Sequence, residues 1–289
     1  MAETRPTALV LHGGASVVAD KSYEAELTHL REVAEKGKSL LAEGMSALDV
    51  CVEVVKDLEE AGLYVAGKGS SPNQVGRYEL DAALMEGHTR KAGSVASLVG
   101  YRHPIAVAQR MMITIPHVML VGEGAAAFAK EQGMEEITDP ESYYTPAAVP
   151  DGREIAVGTV GCVALDQAGH LAAATSTGGT INKRWGRVGD SPLIGAGTWA
   201  DSRIAVSCTG QGEYFIRAVA AADVAARVAY GGASLDVAVI GALGDVKRLG
   251  GDGGMIAVAR DGSVVARFTS QGMKRAIVHP SGKIEVGVA

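Results

Sequence analysis

The 289-residue sequence has few cysteines, few aromatic residues and no long apolar run. Its three cysteines, Cys51, Cys162 and Cys208, are odd in number and widely spaced. This pattern excludes a disulfide framework and the paired ligands of a zinc site, and it favours buried thiols in a reducing compartment. No segment resembles a signal peptide or approaches the ~20 apolar residues of a membrane span. We therefore expect a cytoplasmic protein with no membrane partner.

An excess of basic residues is also missing. The chain carries 27 Lys and Arg against 33 Asp and Glu, a formal net charge of −6. A surface that neutralises nucleic-acid phosphates is therefore not expected. Glycine, in contrast, is abundant at 38 residues. The glycine-rich loops do not match G-x-G-x-x-G after a strand, which argues against a nucleotide-binding oxidoreductase.

Periodicity predicts an α+β layout in which helices pack outside stacked sheets, because helices and strands come in groups and do not alternate strictly. Expected helices span 23–43, 46–60, 104–112, 124–132, 213–230 and 234–247. Expected strands span 7–11, 78–86, 94–101, 117–121, 159–166, 171–177, 193–197, 204–209, 255–260, 263–269 and 284–288.

Residues 134–158 differ in composition from the rest of the chain. They include Pro140, Pro146 and Pro150, several acidic residues and no clear period. This composition predicts an exposed linker within one domain that spans residues 1–289. The linker ends immediately before Thr159.

Small polar residues and glycines are concentrated in three later segments, 175–180, 186–190 and 209–213. Hydroxyls and backbone N–H groups at strand ends and helix starts are suited to holding an anion or a carbonyl oxygen. Any one of these segments alone is more typical of a turn or a helix cap. Three such segments close together, the middle one with the oppositely charged Arg187 and Asp190, indicate a functional site.

A serine hydrolase is not indicated, because the sequence has no G-x-S-x-G. His12 is the only histidine in a glycine-rich strand-end setting. A hydrolytic nucleophile in this chain is therefore expected to lack a histidine base. One solution is an N-terminal threonine whose own α-amine is the base, which requires a cut in the chain. The junction between Gly158 and Thr159 is an accessible place for such a cut.

Nine segments together resemble the plant-type asparaginase / isoaspartyl peptidase family of N-terminal nucleophile hydrolases. The resemblance covers nearly the whole chain. It implies a four-layer αββα sandwich that cleaves itself between Gly158 and Thr159 into chains of residues 1–158 and 159–289. It also implies a homodimer of cleaved protomers. The segments are LHGGA (11–15), AGKGS (66–70), ELDAALMEG (79–87), PHVMLVGEGA (116–125), GTVGCVALD (158–166), ATSTGG (174–179), NKRWGRVGDSPLIGAG (182–197), SCTGQGE (207–213) and GGDGG (250–254).

The activity implied by this resemblance is removal of a β-linked L-aspartyl residue from isoaspartyl dipeptides, and hydrolysis of L-asparagine to L-aspartate and ammonia. By resemblance, Thr159 is the nucleophile and Thr177 hydrogen-bonds to it. Thr209 and the Gly210 N–H would form the oxyanion hole. Gly158 would permit backbone angles before the nucleophile that a Cβ forbids.

The resemblance also assigns the recognition of the aspartyl head group. Arg187 would bind the substrate α-carboxylate, a task that suits a planar guanidinium. Asp190 and the Gly212 carbonyl would hold the α-ammonium. No cofactor is implied for catalysis. A structural sodium ion would bind the backbone of Leu58, Glu59, Ala61, Tyr64, Ala66 and Lys68.

Two positions depart from the family pattern. Val65 stands where asparagine is usual, and Gln211 stands where a small residue or histidine is common. We expect the first to affect rate or substrate preference, and the second to affect the leaving-group side. Two alternatives remain open: a glycosylasparaginase-like amidase, and an uncleaved, non-catalytic protein that binds aspartyl groups.

Overall fold

The computed structural model describes residues 6–18, 21–147 and 158–289. No helix in these ranges is long and apolar enough to cross a lipid bilayer. The helices are α1 (Glu24–Ala42), α2 (Ala47–Glu60), α3 (Pro104–Thr114), α4 (Gly122–Glu131), α5 (Pro140–Tyr143), α6 (Gly212–Ala218), α7 (Ala220–Ala229) and α8 (Leu235–Arg248). The strands are β1 (Ala8–His12), β2 (Leu80–Glu86), β3 (Ala92–Leu98), β4 (Met119–Val121), β5 (Val160–Leu165), β6 (Leu171–Thr177), β7 (Thr198–Ala200), β8 (Ile204–Gly210), β9 (Gly253–Ala259), β10 (Val264–Phe268), β11 (Arg275–Val278) and β12 (Ile284–Gly287).

Two sheets form the inner layers of the molecule. The larger has the strand order β12-β11-β1-β5-β6-β2-β3-β4, and the smaller has the order β10-β9-β8-β7. Every pair is antiparallel except β3 with β4. In the larger sheet β1 lies between β11 and β5, so strands from the two halves of the chain are interleaved. The halves therefore build one sheet rather than two separate units.

Alternation of side chains along the strands divides the core into three parts. Leu9 and Leu11 of β1 face helices α1 and α2, whereas Val10 faces the space between the sheets. On the other side, Val206 and Cys208 of β8 pack against α7 and α8. Helices therefore cover both outer faces of the paired sheets. The predicted four-layer αββα sandwich is confirmed.

Several elements differ from the sequence prediction. The helix expected over 213–230 is divided at Val219, whose φ of 48° is left-handed and ends α6 before α7 begins. Residues 193–197 form turns instead of a strand, because the N–H groups of Ala196 and Gly197 both donate to the Leu193 carbonyl. Strands β7 and β11 and the short helix α5 have no counterpart in the prediction.

The expected linker is partly packed. Its residues 148–157 lie outside the described residues. Most of 134–147 are exposed, but Ile137 and Tyr144 are buried. Tyr144 is buried, and its ring stacks on Tyr78 with 3.7 Å between centroids. The Thr145 N–H then donates to the Lys68 carbonyl at 2.9 Å. Aromatic burial and backbone pairing therefore hold this part of the segment against the body of the protein.

Candidate active site

The predicted nucleophile lies at one end of the space between the sheets. Thr159 immediately precedes β5, Thr177 ends β6, and Thr209 is near the end of β8. Strand alternation places Thr177 on the same face as Ala173, and Thr209 on the same face as Ala205, both of which face the other sheet. The three predicted threonines thus come from both sheets and point into one gap.

The hydroxyls of Thr159 and Thr177 are buried and in contact. The Thr159 Oγ1 donates to Thr177 Oγ1 at 3.4 Å, and the Thr177 hydroxyl donates to the Gly158 carbonyl oxygen at 2.6 Å. The Gly179 N–H donates to Thr177 Oγ1 at 2.9 Å. Because Thr177 accepts two hydrogen bonds, its single proton is directed to Gly158. The carbonyl before the nucleophile is therefore already polarised in the intact chain.

Only glycine fits at position 158, because a side chain there would clash with a neighbouring residue. A Cβ on this residue would lie 2.3 Å from the Val65 Cβ, closer than any two carbon atoms pack. The Val65 carbonyl in turn accepts from the Gly178 N–H at 2.9 Å. Val65, the departure from the family pattern, is thus an apolar wall directly against the 158–159 junction.

The glycine-rich turn after β1 connects the nucleophile to Thr209. The Ala15 N–H donates to Thr209 Oγ1 at 3.3 Å. A Cβ on Gly14 would be 3.4 Å from the Thr159 nitrogen and oxygen, so this turn lies directly beside the nucleophile. Gly210, with φ of +152°, packs against the Asp252 carbonyl and has no room for a side chain. The structure therefore brings Thr209 and Gly210 to the gap that contains Thr159.

Arg187 is held by a residue that the sequence prediction did not include. Its Nε and Nη2 donate to the two carboxylate oxygens of Glu213 at 2.8 and 2.9 Å. This bidentate pair lowers the pKa of Glu213 and fixes the plane of the guanidinium. The remaining N–H groups of Arg187 are left for another anion. The place of Glu213 directly after Gly212, at the start of a helix, is the sequence signal that could have identified it.

Asp190 is buried against the backbone of Gly212, as the prediction requires. A Cβ on Gly212 would lie 2.8 Å from Asp190 Oδ1. Among the residues described, Asp190 Oδ2 has no hydrogen-bond partner. Burial raises the pKa of Asp190 to about 7, although nearby Arg187 opposes the shift. A buried, unpartnered carboxylate oxygen is suited to an ammonium group.

Two more buried charges lie beside this pair and were not predicted as site residues. Asp81 of β2 is directly opposite Thr177 on β6, and burial raises its pKa. Lys183 donates to the Glu79 carbonyl at 2.6 Å, and burial lowers its pKa. Both belong to segments that carry the family resemblance, 79–87 and 182–197, which is the signal that could have indicated them.

Gln211 is hydrogen-bonded to the neighbouring loop. Its side-chain Oε1 accepts from the Asp252 N–H at 2.9 Å, and its own N–H donates to the Asp252 carbonyl at 3.0 Å. The side chain is therefore engaged with the neighbouring 250–254 loop.

The predicted sodium-binding residues form the end of α2 and the loop after it. Two glycines make the loop tight: a Cβ on Gly67 would be 2.4 Å from the Glu59 oxygen, and one on Gly69 would be 2.1 Å from the Tyr64 oxygen. Backbone carbonyls thus approach this turn from two sides, and oxygen donors suit a hard cation. Within the described ranges, no group of three or more His, Cys, Asp or Glu side chains forms a metal site.

Comparison with known proteins gives consistent matches. A family model described as asparaginase matches residues 5–151 and 144–288. An isoaspartyl peptidase of Salmonella typhimurium is 46% identical over 252 residues, covering 78% of this chain and 80% of that protein. A probable isoaspartyl peptidase/L-asparaginase 2 of Arabidopsis thaliana is 37% identical, covering 97% and 98% of the two chains. A plant-type L-asparaginase of Pyrococcus horikoshii is 38% identical, covering 73% and 75%.

Proposed function

The chain belongs to the asparaginase family, and from this premise we propose that it is a self-processing hydrolase of L-aspartyl compounds. Its relatives are named isoaspartyl peptidases and L-asparaginases. The substrates are isoaspartyl dipeptides, from which a β-linked L-aspartyl residue is removed, and L-asparagine, which gives L-aspartate and ammonia. The contact that carries the proposal is the chain of hydrogen bonds from Thr159 through Thr177 to the Gly158 carbonyl.

Self-processing would begin with attack of Thr159 Oγ on the Gly158 carbonyl carbon. The C–N bond breaks, the acyl group moves to the Thr159 oxygen as an ester, and the α-amine is released. Water then hydrolyses the ester and leaves a carboxylate on Gly158. The Thr177 hydroxyl supports this step, because it already donates to the oxygen on which negative charge develops.

The released α-amine would serve as the base for the same hydroxyl. Thr159 Oγ attacks the side-chain carbonyl carbon of the substrate, its proton passes through the amine to the leaving group, and water hydrolyses the acyl-enzyme. Thr209 and the Gly210 N–H would stabilise the oxyanion, and Thr177 would orient the nucleophile. The hydrogen bond from Ala15 to Thr209 supports this assignment, since it fixes the hydroxyl beside the turn that contacts Thr159.

The two charges of an L-aspartyl head group match the two charges beside the gap. Arg187 would bind the α-carboxylate with the N–H groups that Glu213 does not use. Asp190 and the Gly212 carbonyl would bind the α-ammonium, which gives the free Asp190 oxygen a partner. Opposite charges at fixed places favour a zwitterionic head group over a simple amide.

Two further features remain proposals. A sodium ion held by carbonyls of the loop at 58–68 would stiffen the backbone that places Val65 against Gly158. The working form would be a homodimer of cleaved protomers. Neither feature takes part in the chemistry above, and catalysis would require no cofactor.

Mass spectrometry of the denatured protein tests the proposal. Two fragments are expected, the second beginning at Thr159, and the cleaved protein should hydrolyse both β-Asp-Leu and L-asparagine. The variant Thr159→Ala should remain one chain without activity. Full hydrolysis by that variant would overturn the mechanism. Neither a glycosylasparaginase-like activity nor an uncleaved binding protein is favoured by the site or by the relatives.

A further inference from the structure

A buried histidine contacts the backbone of the nucleophile and has no part in the chemistry above. His12, the last residue of β1, is fully buried. Its Nδ1 is 3.1 Å from the Thr159 carbonyl oxygen, and its Nε2 is 3.1 Å from Ser207 Oγ. Because a carbonyl oxygen only accepts, the Nδ1 must carry a proton. Burial lowers the pKa of His12 to about 3, so the ring is neutral and its Nε2 accepts.

With this tautomer fixed, the hydrogen bonds of the Ser207 and Thr175 hydroxyls each have a single direction. Ser207 donates to Nε2 of His12, and its oxygen is 2.7 Å from Thr175 Oγ1. Thr175 therefore donates to Ser207. The Thr198 hydroxyl has two acceptors, Thr175 Oγ1 at 2.7 Å and the Ser191 carbonyl at 3.0 Å. The Ser207 and Thr175 hydroxyls each donate a hydrogen bond toward His12, and the imidazole Nδ1–H donates to the Thr159 carbonyl. All five residues are buried, so no water is required to complete the series.

The hydrogen-bonded residues alternate between the two sheets. His12 and Thr175 lie on strands of the larger sheet, whereas Ser207 and Thr198 lie on β8 and β7 of the smaller one. On the side away from the catalytic threonines, the sheets meet through apolar side chains. A polar layer one step below the catalytic threonines is thus enclosed by an apolar interface, where each unsatisfied group would be costly.

Gly161 of β5 makes room for this layer. A Cβ at this position would lie 2.1 Å from Ser207 Oγ and 2.5 Å from His12 Nε2. Any side chain would therefore separate the two atoms that form the hydrogen bond. The second glycine of the GTVG segment has no other role in the site, and the contact between His12 and Ser207 explains it.

We propose that His12 is a positioning residue: a neutral imidazole, protonated on Nδ1 and oriented by Ser207, Thr175 and Thr198, that fixes the carbonyl of Thr159 and thereby aims its hydroxyl. The inference rests on the proposed role of Thr159 as nucleophile. It adds a second support for that residue, independent of Thr177. Fixing the carbonyl limits rotation of the residue about its own backbone, both before and after the chain is cut.

Leucine and asparagine at position 12 form a matched pair, because they have the same shape and differ in hydrogen bonding. The Asn Nδ2 can occupy the place of the imidazole Nδ1 and donate to Thr159, whereas leucine cannot. We expect His12→Leu to lower the rate of self-cleavage and kcat for β-Asp-Leu on the order of 10²-fold, since small misplacements of a reacting group cost this much. His12→Asn should keep both rates within about tenfold of wild type, because its amide still donates to the Thr159 carbonyl and so preserves the position of the nucleophile. KM should change little in both, because Arg187 and Asp190 are untouched.

Val163→Ala is the control for loss of packing, since Val163 is on β5, buried between the sheets, and outside the hydrogen-bonded series. It should lower the melting temperature without changing kcat. Equal rates for the leucine and asparagine variants, or a change confined to KM, would overturn the positioning role. This failure differs from failure of the proposed function, in which wild-type protein itself would show neither cleavage nor hydrolysis.

Nitrogen-15 NMR of protein with labelled histidines tests the tautomer of His12 in the folded wild-type protein. The signal that disappears in His12→Asn identifies the residue among the seven histidines. We expect a proton on Nδ1 and none on Nε2, unchanged between about pH 5 and 8, where an ordinary histidine titrates. Ser207→Ala should change the Nε2 shift. A proton on Nε2 alone, or titration in this range, would overturn the proposal.

Discussion

Two neighbouring parts of the site are held by different kinds of contact. Around Thr159, the partners are the Thr177 hydroxyl, the neutral ring of His12 and backbone groups. Around Arg187, they are the carboxylates of Glu213 and, nearby, Asp190. The direct hydrogen-bond partners in the part that would form and break bonds are therefore uncharged, although Asp81 lies opposite Thr177. The part that would recognise substrate is ionic.

This difference has a chemical reason. The proposed nucleophile would use an amine of its own as base, so a charge in direct contact with it would shift the pKa of that amine away from neutrality. The head group, in contrast, carries a charge at each end and needs partners of opposite sign. We expect changes near Thr159 to act on kcat and on self-cleavage, and changes near Arg187 to act on kcat/KM alone.

The largest effect should come from Thr177→Val, which keeps the side-chain shape and removes the hydroxyl that donates to Gly158. Self-cleavage and kcat should both fall by about 10²–10³-fold, the usual cost of one oxyanion donor. Fragment formation on a denaturing gel measures the first, and hydrolysis of β-Asp-Leu the second. Thr114→Val, on the exposed end of α3, is the matched control. Normal self-cleavage in Thr177→Val would contradict this role.

A smaller effect is expected for Arg187→Lys, which keeps the charge but loses the planar pair of donors. The kcat/KM for β-Asp-Leu should fall by about 10- to 100-fold, since hydrogen bonds to charged groups contribute about 1.5–3 kcal/mol. Self-cleavage should be unchanged, and its rate is the internal control. A defect in self-cleavage equal to the defect in hydrolysis would break the division between the two parts of the site.

The pH dependence of kcat/KM and of kcat should distinguish the part of the site around Asp190 from the part around Thr159. The pKa of Asp190 is about 7 in the free enzyme, and its protonated form cannot pair with an ammonium. The Thr159 amine, with an ordinary pKa of about 7.7–8.0, must also be unprotonated. Below both values, log kcat/KM should fall with a slope of two in wild type and of one in Asp190→Asn. The slope for kcat should be one in both, because bound substrate keeps Asp190 ionised. Identical kcat/KM slopes would refute the assignment.

The smallest effect is expected for Glu213→Gln. Its side chain is 58% exposed, and exposed ion pairs contribute about 0.2–1 kcal/mol. KM should therefore rise by no more than about fivefold, with kcat unchanged. A much larger rise would mean that Glu213 itself contacts substrate, which a direct binding measurement with L-aspartate would reveal.

Much of this arrangement follows from local sequence. Ser46 caps α2 by accepting from the Asp49 N–H, as its spacing with Asp49 predicts. The four layers and the segments around Thr159, Arg187 and Thr209 follow from the family resemblance. The break at Val219 does not, because nothing in an alanine-rich helical run indicates a left-handed residue. Contacts such as Glu213 with Arg187, or His12 with Ser207, depend on residues that only the tertiary fold brings together.

The interleaved strands of the larger sheet have a consequence for the lifetime of the protein. If the chain is cut at 158–159, β1 remains inserted between β11 and β5, which belong to the other fragment. The two polypeptides would then be interwoven and would not separate on dilution. Once denatured, however, the two fragments would have to associate as separate molecules. They would lack the covalent connection that reduced the entropic cost of bringing these segments together in the uncut chain. We therefore expect the uncut form to refold and the cut form to lose its structure for good, so that processing commits each molecule to a single folding event.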